Sequence, residues 1–153
     1  MGILKALLVA VLVNLSAATV AVAGGTEKEA LAMLDRAIAH IKAQGNEAAF
    51  KAFSDLDNKE FHDRDLYVFV YDFKGFSLAH GTNKAMIGKN FLDYKDGGGK
   101  NWLPEAIEIA KTKGSGPMDV TWTNPETKKL QAKTSFIRRI PGQEALIGAG
   151  IYK

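Results

Sequence analysis

Between Leu66 and Tyr71 apolar residues alternate in type at every position. With a side-chain period of two, Tyr67, Phe69 and Tyr71 share one face of a strand, and Leu66, Val68 and Val70 share the other. Asp72-Phe73-Lys74-Gly75 carries turn chemistry, and Ser77 to His80 returns as the antiparallel partner. A strand apolar on both faces must be covered on both, which predicts a central place in its sheet.

The remaining pattern places elements on either side of this hairpin. Thr26 and Glu29 form a capping box, and Leu31, Leu34, Ile38 and Ile41 follow at helical spacing until Gly45 ends the run. This long amphipathic helix has one apolar stripe to lay on a sheet. Asn46 to Phe53 predicts a shorter helix, and Asp55 to Arg64 a polar, solvated loop. Lys84 to Asp93 reads as partly helical, Asp93 to Lys100 as a flexible loop, and Trp102 to Lys113 as a helix stopped by Gly114-Ser115-Gly116-Pro117. Met118, Val120 and Trp122 then alternate with polar residues in a half-buried strand. A turn at Asn124-Pro125-Glu126-Thr127 leads to a strand from Leu130 to Ile140, with Lys133, Ser135, Ile137 and Arg139 on one face. Pro141-Gly142 turns the chain into a last strand, Ala145 to Tyr152, where Gly148 and Gly150 invite close backbone approach. Helices before and within an antiparallel run define an α+β domain with a single sheet.

Residues 1–23 carry the marks of an export signal: Lys5, an unbroken apolar run from Ala6 to Val13, and the small-x-small ending Ala21-Val22-Ala23. We expect cleavage before Gly24, leaving residues 24–153 as one periplasmic or secreted domain. An uncleaved N-terminal segment would tether the same domain to the membrane.

Composition narrows the chemistry. The formal charge is only +3 and no block of like charge occurs, which gives no footprint for nucleic acid but suits a site for small anions. The absence of cysteine excludes disulfides and thiolate metal sites. Gly75-Phe76-Ser77-Leu78-Ala79 approaches a nucleophile elbow but ends in Ala and runs from turn into strand rather than from strand into helix. No carboxylate pair stands out for acid–base work, and no phosphate or calcium loop survives inspection of Asp93 to Pro104. The expectation is a protein that is not an enzyme and needs no cofactor or metal. What remains is a set of strand-borne polar groups, Tyr67, Tyr71, His80, Trp122, Lys133 and Ser135, of the kind that line small-ligand sites. Lys133 is the most informative: on a half-exposed strand it is a surface lysine, but if it faces inward its ammonium requires a counter-charge.

Several ordered segments together resemble the single Cache domain family, the extracytoplasmic PAS-like sensor modules of bacterial chemoreceptors and histidine kinases. They are Asp65 to Asp72, Leu78-Ala79-His80-Gly81, Ile87-Gly88-Lys89-Asn90, Asp96-Gly97, Trp122 with Asn124-Pro125, Lys133, and Gly148-Ala149-Gly150-Ile151-Tyr152. The resemblance covers Glu29 to Lys153. It implies a long N-terminal helix packed on a five-stranded antiparallel sheet, with a ligand on the opposite face beneath the segment that follows the second strand. It also implies small organic anions as ligands, such as acetate, propionate, pyruvate or lactate. Carried over by position, Tyr71, His80, Trp102, Trp122 and Lys133 are the ligand-binding candidates, with Tyr67, Phe69 and Ser135 as secondary ones. Phe136 stands where the family leads us to expect Tyr.

A receptor would continue into a membrane helix and an output domain, whereas this chain ends at Lys153, so we expect a stand-alone exported sensor. Its expected partners are a small organic acid and a membrane receptor or kinase, with homodimerisation through the N-terminal helix. The competing readings are a ligand-free module that docks on a receptor, and a haem or metal sensor built on His80.

Overall fold

The computed structural model describes residues 23–153; the predicted export signal lies, but for Ala23, outside them. Helix α1 spans Glu27–Gln44, and both halves of its capping box form: Thr26 Oγ1 accepts from the Glu29 N–H, and the Glu29 carboxylate accepts from the Thr26 N–H. Gly45, at φ 80°, ends α1 and opens α2, Asn46–Phe53.

Two short strands, β1 (His62–Asp63) and β2 (Leu66–Tyr67), pair with each other only. The main sheet follows: β3 (Phe69–Asp72), β4 (Ser77–His80), β5 (Ser115–Thr123), β6 (Leu130–Arg139) and β7 (Ala145–Tyr152). Its order is β4-β3-β7-β6-β5, antiparallel throughout. Between β4 and β5 the chain makes a one-turn 3-10 helix (Lys84–Met86), then α3 (Trp102–Glu108) and a π-helical turn (Ile109–Lys113).

Two apolar layers sandwich the sheet. On one face, Ala30, Met33, Leu34 and Ala37 of α1 and Phe53 of α2 pack on Val68, Val70, Ile147 and Ala149. On the other, Tyr67, Phe69 and Tyr71 pack with Trp102, Leu103 and Ala106 of α3 and with Met118 and Val120. The alternation from Leu66 to Tyr71 therefore divides its side chains between the layers as predicted.

Four expectations need correction. The Leu66–Tyr71 run is not one strand, because the chain changes partners at Val68: its N–H donates to Phe61 and its carbonyl accepts from Gly81. Nor is β3 in the middle of the sheet. That place belongs to β7, whose residues from Ala145 to Gly150 are all buried. Strand β5 starts at Ser115, earlier than Met118, and admits Pro117 because it is an edge strand whose outer side needs no ladder bond. The stretch from Asp55 to Arg64 is not all solvated loop: Phe61 is fully buried and His62–Asp63 form β1, and just beyond it Asp65 is buried and accepts from the Gly25 N–H at 2.7 Å.

A cavity lined by buried donors

Beneath α3, on the face away from α1, nine side chains line a small, partly open cavity of about 20 Å3. They include all eight candidates, Tyr67, Phe69, Tyr71, His80, Trp102, Trp122, Lys133 and Ser135, and add Val120. Val120 was legible in principle, since the alternation of β5 puts it on the same face as Trp122. Phe136 is not part of the wall. It faces α1 in the other layer, as its position one residue from Ser135 requires, so a Tyr there would add no hydroxyl to the cavity.

Lys133 projects from the middle of β6, opposite Tyr152 on β7, and is fully buried. Its Nζ lies 4.0 Å from the ring centroid of Tyr67, 5.0 Å from that of Tyr152 and 5.4 Å from that of Phe69. Three aromatic faces thus partly replace its hydration. No carboxylate lines the cavity, and none of the ion pairs among the described residues involves Lys133. Burial lowers its pKa to about 7, and Asp65 offsets only part of that effect. Gly150 makes this position accessible: a Cβ there would stand 2.8 Å from Lys133 Cε.

Tyr152, which is not among the eight candidates, braces the cavity from below. Its hydroxyl donates to the Thr123 carbonyl at 2.8 Å and lies 3.2 Å from the Tyr67 hydroxyl, which is left to donate to it. Tyr67 therefore contributes a ring to the cavity rather than a free hydroxyl. Burial raises the pKa of both phenols, so they stay neutral.

His80 ends β4 with a defined tautomer. Its Nδ1 accepts from the backbone N–H groups of Thr82 (3.3 Å) and Asn83 (3.2 Å), so the ring proton resides on Nε2. Burial, and next the charge of Lys133, hold its pKa down at about 3. The imidazole is neutral and offers one donor. Tyr71 Oη and Trp102 Nε1 are buried without a hydrogen-bond partner. Ser77, whose Oγ is also unpartnered, lies near enough to Tyr71 to influence its phenol without reaching hydrogen-bond geometry.

The cavity roof is a closed aromatic circuit. Ring centroids step from Tyr71 to Trp102 (5.1 Å), Trp122 (5.6 Å), Tyr94 (6.0 Å), Phe91 (5.1 Å) and back to Tyr71 (5.5 Å). Tyr94 and Phe91 belong to the segment after β4, which Asp96 staples to β5. Asp96 Oδ2 accepts from the Thr121 N–H, while its Oδ1 accepts from Gly98 and Lys100.

In chemical inventory, the wall presents an ammonium, an indole N–H, an imidazole N–H and a phenol, with no acidic group to answer them. Among the described residues no cluster of three or more His, Asp or Glu side chains is placed to hold a metal ion.

The model of the Cache domain matches residues 28–153, and the chain belongs to that family. Cache domains are sensor modules that bind ligands. The chain is 32% identical over 91 residues to the sensor histidine kinase MctS of Rhizobium johnstonii, a match that covers 60% of this chain and 20% of that protein. It therefore spans about a fifth of that relative's length. Among solved structures, a methyl-accepting chemotaxis protein from Vibrio parahaemolyticus superposes with a TM-score of 0.70 at 22% identity, over 82% of this chain and 86% of that one. A Cache chemosensory domain described for its recognition of carboxylic acid superposes at 0.64 and 21% identity, over 82% and 86%. These likenesses agree with the α+β architecture, a long helix on a five-stranded antiparallel sheet. Among the described residues no helix is long and apolar enough to cross a membrane.

Proposed function

We propose that this Cache domain is a non-enzymatic, extracytoplasmic sensor that binds a small carboxylate, of two to four carbons, in the cavity beneath α3. One observation carries the reading. Tyr71 Oη and Trp102 Nε1 are buried without partners in the same cavity wall as a buried Lys133 that forms no ion pair among the described residues, Asp65 acting on it only from outside the wall. Leaving such groups unpaired costs about 1–3 kcal/mol each, more for a charge, and one carboxylate would satisfy them together. In this reading His80 Nε2 and Ser135, which line the same cavity, complete the shell. The volume of about 20 Å3 suits an occupant of only a few heavy atoms. The carboxylic acid recognised by the solved chemosensory domain supports the same ligand class.

A bound acid stabilises the fold by RT ln(1 + [L]/Kd), so a panel of acetate, propionate, pyruvate and lactate raises Tm in a concentration-dependent way. No shift from any of them would end this reading.

The small cavity also favours a second reading, in which the module works without a ligand and docks on a membrane receptor. In that case the panel leaves Tm unchanged and pull-down from envelope extract retains a receptor. In either case we propose that residues 1–23 are an export signal, so that the mature chain begins at Gly24, which N-terminal sequencing of exported protein tests.

A further inference from the structure

Outside the cavity, across the aromatic roof, lies a much larger open groove of about 750 Å3. The two spaces share two walls, His80 and Trp122. Lys89, Lys95 and Lys128 line the groove, all exposed, and none takes part in an ion pair among the described residues. The single carboxylate in its lining is Asp96, which is buried and already accepts three backbone N–H groups. The groove therefore carries an unbalanced positive potential directly outside a cavity whose own groups call for an anion. A concave surface lined by one sign of charge concentrates counter-ions and raises their association rate.

Taking the carboxylate reading of the cavity as given, we infer that the groove is its entrance: Lys89, Lys95 and Lys128 gather the anion, which passes inward between His80 and Trp122. The three lysines set the rate of arrival, and the cavity sets the rate of departure. Trp122 suits a gate, because it is only partly buried and contacts one ring inside, Trp102, and one outside, the half-exposed Tyr94.

The chain's own fluorescence reads this out, since both of its tryptophans line the cavity and Trp122 also lines the groove. At an ionic strength of about 0.01 M, where charges act over roughly 30 Å, stopped-flow mixing with the tightest-binding acid of the four-acid panel compares wild type with the Lys89→Gln/Lys95→Gln/Lys128→Gln variant. We expect the association rate constant to fall about tenfold, the dissociation rate to change less than twofold, and the two proteins to converge as salt is added. An unchanged association rate, or a loss residing in dissociation, would overturn the inference. A readout independent of the acids uses iodide and caesium as quenchers. With each quencher scaled to its effect on free tryptophan, iodide quenches the wild type more strongly than caesium, and the triple variant brings the two together; equal scaled quenching in wild type also overturns it. If no acid in the panel binds while iodide still outquenches caesium, the ligand reading fails and the positive groove stands.

Discussion

Lys133 lies in the cavity because residue 150 is glycine. In the register of β6 and β7, Gly150 sits opposite Ser135, and a Cβ on it would stand 2.4 Å from the Thr134 carbonyl oxygen and 2.8 Å from Lys133 Cε. Gly150→Ala must displace either the strand pairing or the lysine. We expect a destabilisation of about 1–3 kcal/mol, read from denaturant melts, together with a loss of carboxylate affinity. Full retention of both would show that the contact is slack.

Lys133→Met separates stability from binding. Replacing an unpaired buried charge with an apolar side chain of similar volume removes its burial penalty, so the ligand-free variant should melt higher than wild type at neutral pH, by an amount on the order of the 1–4 kcal/mol seen when buried ion pairs are replaced by apolar groups. The same variant should show no Tm response to carboxylates. A lower Tm without ligand would mean that the ammonium has a compensating partner.

The pH dependence follows from two depressed pKa values. Folded Lys133 titrates at about 7 and its unfolded counterpart near 10.5, so between those values the unfolded chain holds more protons. Its contribution to stability is complete above 10.5 and is lost as pH falls to about 7. The Tm advantage of Lys133→Met over wild type should therefore be greatest near pH 7 and below, and shrink as pH rises. His80 has the same sign in a lower window: its contribution is full above 6.5 and is lost as pH falls towards about 3. A carboxylate selects the ammonium form of Lys133, so affinity should be flat just below pH 7 and weaken by up to tenfold per unit above it. Affinity independent of pH from 6 to 9 would exclude Lys133 as the counter-charge.

Tyr71→Phe and Trp102→Phe each remove a polar atom that has no partner in the free protein. Tyr71→Phe should change the ligand-free Tm little, because no hydrogen bond is lost, whereas Trp102→Phe also leaves a smaller ring in the roof and should lower it. Each should weaken a carboxylate about tenfold, the worth of one hydrogen bond of roughly 1.5 kcal/mol to a charged group. Calorimetric titration at constant pH checks this; unchanged affinity in both would move the ligand away from α3.

Much of this was legible in the sequence, for reasons that differ by residue. Alternation alone divides Tyr67, Phe69 and Tyr71 from Leu66, Val68 and Val70, because a pleated strand leaves no other choice. The Thr26–Glu29 box marks the start of α1 because its two bonds are local. Alternation also separates Phe136 from Ser135, which the family pattern by itself obscured. Sheet order was not legible: β7 lies between β6 and β3 because its glycines admit Phe69 and Lys133, a tertiary fit that no window of sequence displays. The break at Val68 and the tie from Asp65 to Gly25 depend on distant partners in the same way. Tyr152 was legible as the end of the last strand but not as part of the site, because its contacts to Tyr67 and Thr123 arise only in the assembled sheet.

The most direct test of the account is isothermal titration of wild type and Lys133→Met with acetate, propionate, pyruvate and lactate near pH 6.5. The account predicts saturable binding of at least one acid to wild type and none to the variant, whose fold is verified by its melt. No binding to wild type, or equal affinity in the two proteins, would contradict it.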